Sequence, residues 1–370
     1  MQILFISTSY SSVSKDWRAR FIVNLVEALA RRKEVTINMW GPPGDRPHCV
    51  KDASLPAEAN WLKELMAHGG IAHILRTKGK WAIVISIKLL FNLRRVFLRS
   101  SAVDIVHINW LQNALPLWRI KKPAIIGVLG SDYRLIGRPA ITFLLRAALR
   151  TRKCILAPNA GWMVPLLEQK FGDIAEIRPI PFGVDQRWFD VVRHPSGNSP
   201  SQWISVARVT TKKIGSLFSW GKDIFGKYHT MHLIGPNQEN LALPEWVVYH
   251  GPASLDELRI KWFPHATGLI TLSQHDEGRP QVILEAMAAG LPVIVSDIPA
   301  HRDVIKHQKT GWIAKSAEDV KNAILFFNDP ANNKQIGQAA RKWVVENIGT
   351  WHDCSTRYIE AYHNLLEDNN

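Results

Sequence analysis

Between residues 268 and 296 the chain reads as a buried strand, a loop, a helix and a second buried strand. The apolar run from Gly268 to Leu272 is typical of a parallel strand that is covered on both faces, and Pro292 to Ser296 is a second run of this kind. Parallel strands need a long crossover connection, which is usually a helix. This stretch therefore predicts a βαβ unit, which restricts the chain to an α/β fold.

Two glutamates bracket the crossover of this unit. Glu277 falls in the loop after the first strand, and Glu285, with seven residues between the two, falls in the helix. Gly278 frees the backbone of the loop, and Pro280 suits the first helical position. The start of a helix carries unpaired N–H groups and a partial positive charge, both of which attract phosphate. The pattern predicts a site that holds a diphosphate between acids that bind sugar.

The same alternation of strand and helix runs through both halves of the chain. We predict strands at 2–7, 35–40, 105–108, 124–128, 154–158, 203–207 and 231–234, and a helix at 215–225, besides the unit described above. A chain of 370 residues exceeds the usual size of a single core. Prolines and a glycine interrupt the pattern between Pro179 and Asp185. We therefore expect an α/β protein with two doubly wound, mostly parallel sheets.

Three phrases resemble one family of enzymes. From Glu277 to Val295, including Glu-Ala-Met-Ala-x-Gly-x-Pro-Val, the chain resembles the Glu-x7-Glu signature of the retaining glycosyltransferases of family GT4, also called glycosyl transferases group 1. Ile180 to Asp185 resembles the hinge of that family, and Ile204 to Lys213 resembles its strand that ends in an arginine, followed by a lysine. The resemblance covers nearly the whole chain. It implies the GT-B fold, in which two Rossmann-like, doubly wound domains face each other across a cleft.

The resemblance also implies a separate role for each domain. Residues 1–182 form an N-terminal Rossmann-like domain that binds the acceptor, residues 183–348 form a domain that binds the nucleotide sugar, and residues 349–370 form a helix that returns to the N-terminal domain. The implied reaction moves a sugar, with retention, from a UDP- or GDP-linked donor to a glycan or lipid-linked saccharide. Such transfers serve the synthesis of cell-surface polysaccharide or lipopolysaccharide. No cofactor is expected besides this donor substrate.

Roles at the donor site follow from the same resemblance. Arg208 and Lys213 are the cations for the diphosphate, with surface salt bridges as the alternative for both. Glu285 accepts hydrogen bonds from the ribose hydroxyls, and Glu277 is the catalytic acid that holds hydroxyls of the donor sugar. Further donor-binding positions, in the loop and at the start of the helix, are Gly278, Arg279, Gln281 and Val282. The sequence contains no Asp-x-Asp pair, so we expect no metal requirement and no metal ligands.

The acceptor side departs from the family pattern. Relatives show His-Gly-x-Asp after the fourth strand, whereas this chain has Leu129-Gly130-Ser131-Asp132, with leucine in place of histidine. Asp132 becomes the candidate for a polar, catalytic role, with a helix N-cap as the alternative. His107 and Asn109, after another strand, are further acceptor-side candidates. Arg18 is a third, which either meets a phosphate or is an exposed helix residue.

The net charge of +14 favours an anionic partner. No acidic residue occurs between Glu64 and Asp104, where basic side chains alternate with large apolar ones. Our candidates for contact with a membrane surface are Arg76, Lys78, Lys80, Trp81, Lys88, Arg94, Arg95 and Arg99. Such a segment can lie on an anionic lipid surface; a core helix with basic ends is the alternative.

No run of about eighteen apolar residues is present, so we expect no membrane-spanning helix. Three scattered cysteines favour a reducing compartment. We therefore expect a cytoplasmic protein that is peripheral on the inner face of the plasma membrane. Its expected partners are a nucleotide sugar, a glycan or lipid-linked acceptor and the anionic membrane surface.

Two other hypotheses remain open at this point. A nucleotide-sugar epimerase or a phosphorylase shares the GT-B architecture, and a basic nucleic-acid-binding protein shares the charge. Epimerases lack the phrase that begins at Glu285. The apolar content of residues 81–98 suits lipid better than nucleic acid, so we expect no nucleic-acid partner.

Overall fold

The computed structural model describes residues 1–11, 19–70, 74, 79–194, 200–275 and 277–367, with residue 80 described by its backbone. The chain divides into two compact units. One comprises Met1–Phe182 together with Trp351–Asn370, and the other comprises Gly183–Thr350. Each unit is built on a parallel sheet with helices around it, so the predicted α/β class with two doubly wound sheets is confirmed.

The sheet of the first unit has seven described strands in the order β3-β2-β1-β4-β5-β6-β7. The strands are β1 (Gln2–Ile6), β2 (Thr36–Trp40), β3 (Lys51–Asp52), β4 (Ile105–Asn109), β5 (Ala124–Val128), β6 (Cys154–Pro158) and β7 (Glu176–Ile177). Every residue of β4, β5 and β6 is buried, as expected where helices cover both faces of a sheet. The strand order reverses between β1 and β4.

Helices pack on both faces of this first sheet. The helices are Arg20–Ala30, Pro56–Ala67, Lys80–Arg99, Pro139–Leu149, Val164–Phe171 and Trp351–Glu367, with 3₁₀ turns at Leu111–Leu117, Tyr133–Gly137 and Gly161–Met163. Side chains alternate along a strand, so Leu4 and Phe5 of β1 point into different cores. The core that contains Phe5 is closed by Tyr358 and Tyr362 of the last helix. The helix Trp351–Glu367 thus completes the core of the first unit, although it lies far from the other elements of that unit in the sequence.

The sheet of the second unit has six described parallel strands in the order β10-β9-β8-β11-β12-β13. The strands are β8 (Ser201–Val206), β9 (His229–Ile234), β10 (Val247–Gly251), β11 (Gly268–Thr271), β12 (Val293–Ser296) and β13 (Trp312–Ala314). All residues of β11 and β12 are buried. The strand order reverses between β8 and β11, which makes the carboxyl ends of these two strands the switch point of the sheet.

The helices of the second unit differ from expectation in two places. The observed helices are Gln186–Phe189, Thr211–Ile214, Leu217–Gly221, Leu255–Glu257, Gln281–Ala288, Pro299–Arg302, Ala317–Asn328 and Pro330–Asn347, with a π-helical turn at Leu258–Trp262. The single helix predicted for 215–225 is wrong, because Gly215 adopts φ 55° and separates two short helices. Pro280 is not the first helical residue but the N-cap, in an extended conformation.

Candidate active site

Two loops meet at the switch point of the second sheet, where open α/β sheets bind their ligands. Gly215 makes this meeting possible, because a Cβ at this position would lie 1.9 Å from the carbonyl oxygen of Leu272. The N–H of Ser216 donates to that carbonyl at 3.2 Å, and the N–H of Gln274 donates to the carbonyl of Lys212 at 2.8 Å. Backbone hydrogen bonds therefore hold the loop after β8 against the loop after β11.

Lys213 and Glu277 form an ion pair across these two loops. Lys213 Nζ lies 2.5 Å from Glu277 Oε1, and the side chains are 17% and 14% exposed. Thr210 caps the short helix that carries Lys213 by accepting a hydrogen bond from its N–H. Burial acts to raise the pKa of Glu277, but the Lys213 ammonium outweighs it and holds this pKa below its ordinary value. Glu277 is therefore ionised, and its carboxylate can accept hydrogen bonds from hydroxyl groups.

A buried polar chain supports Glu277 from the protein interior. Ser273 Oγ donates to Glu277 Oε1 at 3.3 Å, and Ser296 Oγ donates to the carbonyl of Ser273 at 2.5 Å. His301 Nδ1 lies 2.9 Å from the carbonyl of Ser296, which can only accept, so Nδ1 carries the proton. Burial lowers the pKa of His301, which keeps the ring neutral. The chain links the ends of β11 and β12 to the carboxylate.

Sequence reasoning missed Ser273, Ser296 and His301. Their contacts depend on how the ends of two adjacent parallel strands lie side by side, with Thr271 paired to Val295. The available signal was a serine directly after the first apolar run and another at the end of the second. Serine in such a place needs a hydrogen-bonding partner when it is buried.

Glu285 lies on the partly exposed face of the helix Gln281–Ala288, whose opposite face is buried. Gln281 is four residues earlier and shares this face. Burial, and then the nearby Asp185 carboxylate, raise the pKa of Glu285 to about 7. Gln281 Nε2 donates to the carbonyl of Gly183 at 3.2 Å, so the segment that contains Asp185 runs beside this face. Glu285 can therefore change its charge near neutral pH.

The remaining donor-site candidates lie in the same loops. Arg208 follows β8 and is partly exposed, as is Val282 in the first turn of the helix. Arg279 forms an ion pair with Asp303 at 2.5 Å, and both side chains are nearly buried, so its guanidinium is committed within the protein. Gly278, which lies between Glu277 and Arg279 in the sequence, is buried. The first N–H groups of a helix have no partner within it, so Gln281 and Val282 head a helix start that can donate to a ligand.

Asp132, expected in a catalytic role, is held by backbone hydrogen bonds in the first unit. It is 1% exposed, and its carboxylate accepts the N–H groups of Leu111 at 2.8 Å and of Leu129 and Gly130 at 2.9 Å. Burial raises its pKa, although these hydrogen bonds oppose that effect. Asp132 also precedes a 3₁₀ turn, Tyr133–Gly137, without capping it through its side chain. Its carboxylate joins the loops after β4 and β5 and supports the fold.

His107 and Asn109, expected on the acceptor side, are buried inside the first unit. His107 is fully buried, its Nδ1 lies 2.6 Å from the Tyr362 hydroxyl oxygen, and burial lowers its pKa to about 3. Its ring packs on Phe5, with centroids 4.5 Å apart. Asn109 is also fully buried and donates to the carbonyl of Ile6 at 3.1 Å. Both side chains thus serve packing, because every position of β4 is covered.

Of the remaining candidates, several lie outside the described residues. These are Arg18, Arg76 and Lys78, with the side chain of Lys80. Trp81, Lys88 and Arg95 are exposed on the helix Lys80–Arg99, whereas Arg94 and Arg99 make contacts within the protein. Among the described residues, no group of three or more His, Cys, Asp or Glu side chains is placed to hold a metal ion.

Comparison with known proteins identifies similar chains. Residues 238–343, which contain Glu277 and Glu285, match the family model described as glycosyl transferases group 1. A probable sucrose-phosphate synthase of Thermosipho melanesiensis is 31% identical over 103 residues, which are 28% of this chain and 23% of that protein. Across the curated relatives compared, the matched residues span 22% to 39% of each relative's length.

Solved structures are similar over nearly the whole chain. Sucrose-phosphate synthase from Thermosynechococcus elongatus superposes with a TM-score of 0.72 at 17% identity, covering 99% of each chain. Anabaena Alr3699/HepE in complex with UDP and glucose superposes with a TM-score of 0.66 at 14% identity, covering 98% of this chain and 100% of that one. At these identities the likeness concerns the fold, and it confirms the GT-B architecture.

Proposed function

We propose that this protein is a retaining glycosyltransferase of family GT4 that moves a sugar from a nucleoside diphosphate to a glycan or lipid-linked saccharide. The observation that carries this proposal is the Lys213–Glu277 ion pair at the switch point of the second sheet. The pair places a cation suited to a diphosphate beside an acid suited to sugar hydroxyls. The family match over residues 238–343 supports the same activity.

Lys213 and the helix that begins at Gln281 stabilise the leaving diphosphate in this proposal. Negative charge builds on the diphosphate as the bond to the sugar breaks, and a preformed cation and helix N–H groups are favourable partners for it. Arg208, which follows β8 in the same loop, adds a second cation. Because Lys213 is paired with Glu277 before the donor arrives, the diphosphate must share this ammonium with the carboxylate.

Two acids hold the rest of the donor. Glu277 is ionised and accepts hydrogen bonds from hydroxyls of the transferred sugar. Glu285 accepts hydrogen bonds from the ribose of the nucleotide, which favours its charged form. The donor is UDP- or GDP-linked, and a solved structure with the same fold holds UDP and glucose.

Transfer then proceeds on one face of the sugar, without a protein nucleophile. The bond from the anomeric carbon to the phosphate oxygen breaks, and the acceptor oxygen bonds to that carbon on the same face. The acceptor proton passes to the departing phosphate. The cations and N–H groups named above supply positive charge, so the reaction needs no metal ion.

We place this transfer in the cytoplasm, on the inner face of the plasma membrane, in the synthesis of cell-surface polysaccharide or lipopolysaccharide. The first unit would present the acceptor, and the anionic membrane would be a partner in place of nucleic acid. The net charge of +14 and the exposed apolar residues of the first unit support this location.

Binding and turnover of nucleotide sugars test the proposal. Thermal shifts with UDP- and GDP-linked sugars should identify a donor, whose hydrolysis or transfer to membrane lipid extracts is then followed. Glu285→Ala should abolish transfer while its far-UV circular dichroism matches that of the wild type. Glu346→Ala, at a glutamate that is 56% exposed, is the matched control and should keep full turnover.

Two results would count against the assignment. One is unchanged turnover in Glu285→Ala. The other is isomerised free nucleotide sugar in the absence of any acceptor, which would indicate an epimerase with the same architecture.

A further inference from the structure

The helix Lys80–Arg99 has two apolar faces, and one of them is in contact with solvent. One face is in the core, where Leu93 and Val96 are fully buried. The other face exposes large apolar side chains: Trp81 (70%), Ile83 (62%), Val84 (55%), Ile87 (62%), Phe91 (60%) and Leu98 (58%). Trp81, Val84, Phe91 and Leu98 are spaced by three, seven and seven residues, which is about one turn and then two turns each, so they form one stripe.

Contacts with neighbouring segments fix this helix in place. Arg99 binds Glu58 through two N···O contacts of 2.5 and 2.7 Å, and Glu58 is 5% exposed. Arg94 Nη1 donates to the carbonyls of Pro116 and Trp118, at 3.0 and 2.5 Å. Both cations therefore anchor the helix. These contacts fix its orientation, so the apolar stripe stays on the side that faces solvent.

Adjacent segments carry further exposed apolar side chains. The 3₁₀ turn Leu111–Leu117 packs against the helix Lys80–Arg99 and against the helix Pro139–Leu149. Trp118 directly after this turn is 53% exposed, and on the second helix Phe143 is 71% and Leu144 54% exposed. We call the exposed apolar side chains of these three segments the apolar face.

The charged residues of these segments are almost all basic. Residues 81–99 and 111–150 contain Lys88, Arg94, Arg95, Arg99, Arg119, Lys121, Lys122, Arg134, Arg138, Arg146 and Arg150, with one acid, Asp132, which is buried. Two of the cations lie over exposed aromatic rings, Arg95 over Phe91 at 5.7 Å and Arg119 over Trp118 at 4.5 Å. The cations thus lie next to the exposed apolar side chains, and not on a different surface of the first unit.

We propose that the apolar face is a docking surface for an anionic lipid bilayer, with the helix Lys80–Arg99 lying in the plane of the headgroups. At about 1.5 Å per residue a helix of 20 residues is roughly 30 Å long. Apolar side chains then enter the boundary between headgroups and acyl chains, while Lys88, Arg95 and Arg119 meet lipid phosphates. No helix among the described residues is long and apolar enough to span a bilayer.

Charge and apolar exposure together favour lipid over a nucleic acid. A phosphate backbone would satisfy the cations but would leave Ile83, Ile87 and Leu144 in water. A bilayer satisfies both, and tryptophan is enriched at its interface. Membrane docking deepens the proposed function, because it names the surface through which a lipid-linked acceptor would be reached.

Sedimentation with vesicles tests the docking, without any donor present. The full chain is mixed with vesicles of phosphatidylcholine alone and with vesicles that contain about one-third phosphatidylglycerol. The protein should sediment with the anionic vesicles and less with the neutral ones, and added salt should weaken the binding. Trp81→Ala/Phe91→Ala should lower the partition coefficient about tenfold or more, since each ring buries its surface in the lipid.

Matched variants test whether vesicle binding depends on the apolar face itself or on exposed apolar and charged side chains anywhere on the protein. Leu325→Ala/Val345→Ala removes side chains of the second unit that are 57% and 58% exposed, and should leave partitioning unchanged. Arg95→Glu should weaken anionic binding severalfold, whereas Lys342→Glu, at a lysine 76% exposed in the second unit, should not. Thermal unfolding of each variant checks that the fold is kept.

Three outcomes would overturn the proposal. They are absence of wild-type binding to anionic vesicles at low salt, equal partitioning of Trp81→Ala/Phe91→Ala and the wild type, and binding to an oligonucleotide without binding to vesicles. None of these depends on sugar transfer. A protein that binds vesicles but no nucleotide sugar would contradict the proposed activity and leave the docking surface standing.

Discussion

Acids stand at the carboxyl edges of both sheets, but they have different kinds of partner. At the edge of the first sheet, Asp132 accepts three backbone N–H groups and is 1% exposed. At the edge of the second sheet, Glu277 pairs with the Lys213 side chain and Glu285 keeps part of its surface exposed. Backbone partners cannot move away, whereas a side-chain cation can be shared with a ligand. An acid after a parallel strand is therefore free for chemistry only when its partners are mobile.

Among conservative substitutions, the largest effect should come from removing the charge of Glu277. Glu277→Gln removes the negative charge that strengthens the hydrogen bonds from sugar hydroxyls and that pairs with Lys213, and kcat/KM should fall about 100- to 1,000-fold. The free energy of unfolding should fall by only about 1 kcal/mol, because the pair is partly solvated. Steady-state kinetics and denaturant unfolding measure the two. Glu318→Gln, at an exposed glutamate, serves as control, and a stability loss large enough to account for the lost activity would refute the assigned role.

Asp132 should show the reverse pattern. Asp132→Ala leaves two buried N–H groups and one partly buried N–H group without an acceptor, and the free energy of unfolding should fall by about 3 kcal/mol. Turnover per folded molecule should stay close to that of the wild type. Urea titration followed by tryptophan fluorescence gives the stability. If Asp132→Ala is as stable as the wild type but has lost turnover, Asp132 takes part in catalysis. The two sheet edges would then not differ in the way described above.

Nucleotide binding should depend on pH through Glu285. Its pKa, raised to about 7 by burial and by Asp185, makes it half protonated near neutrality. A ribose that donates to the carboxylate favours the ionised form, so affinity should be full above pH 8 and fall about tenfold by pH 6. Calorimetry in buffers of different ionisation enthalpy should detect proton release on binding near pH 6.5.

Two variants control for other titrations. Glu285→Gln should remove the pH dependence, and Asp185→Asn should move the midpoint to lower pH because it removes a neighbouring negative charge. A midpoint that both variants leave in place would assign the titration to another group.

The smallest effect should come from His301, which acts on Glu277 through Ser296 and Ser273. His301→Ala removes the N–H that donates to Ser296, and the KM for the nucleotide sugar should rise about fivefold. The Kd for the free nucleotide should change less than this KM, because the diphosphate is coupled to Glu277 only through Lys213. His301→Asn, whose amide can replace Nδ1–H, should restore most of the loss. A parallel loss of affinity for both ligands would indicate general disorder of the second unit.

Much of the architecture could be predicted because buried parallel strands are continuous apolar runs. β11 and β12 are read directly from such runs, and the crossover helix follows from their parallel pairing. The two short helices around Gly215 could not be predicted, since four or five residues show no helical period. The need for glycine arises from Leu272, which lies 57 residues away in the sequence.

Side-chain partners were the least predictable part of the candidate site. Lys213 and Glu277 were found separately, and their contact depends on the meeting of two loops. Asp132 matched a family position, but one of its partners, the N–H of Leu111, belongs to another loop and leaves no mark in the sequence. Arg94 and Arg99 were indistinguishable from Arg95 by residue type, although they anchor the helix that carries all three.

The last helix has a consequence for how the chain is made. Tyr358 and Tyr362 cover Phe5 and His107, yet roughly 170 residues are added between Phe182 and Trp351. At about 5–20 residues per second, a ribosome needs on the order of ten seconds or more to deliver that cover. During this interval the apolar side chains of this core, Phe5 among them, are exposed in the nascent first unit. Nascent chains should therefore depend on chaperones more than the finished protein does, and fragments that end at Phe182 should precipitate.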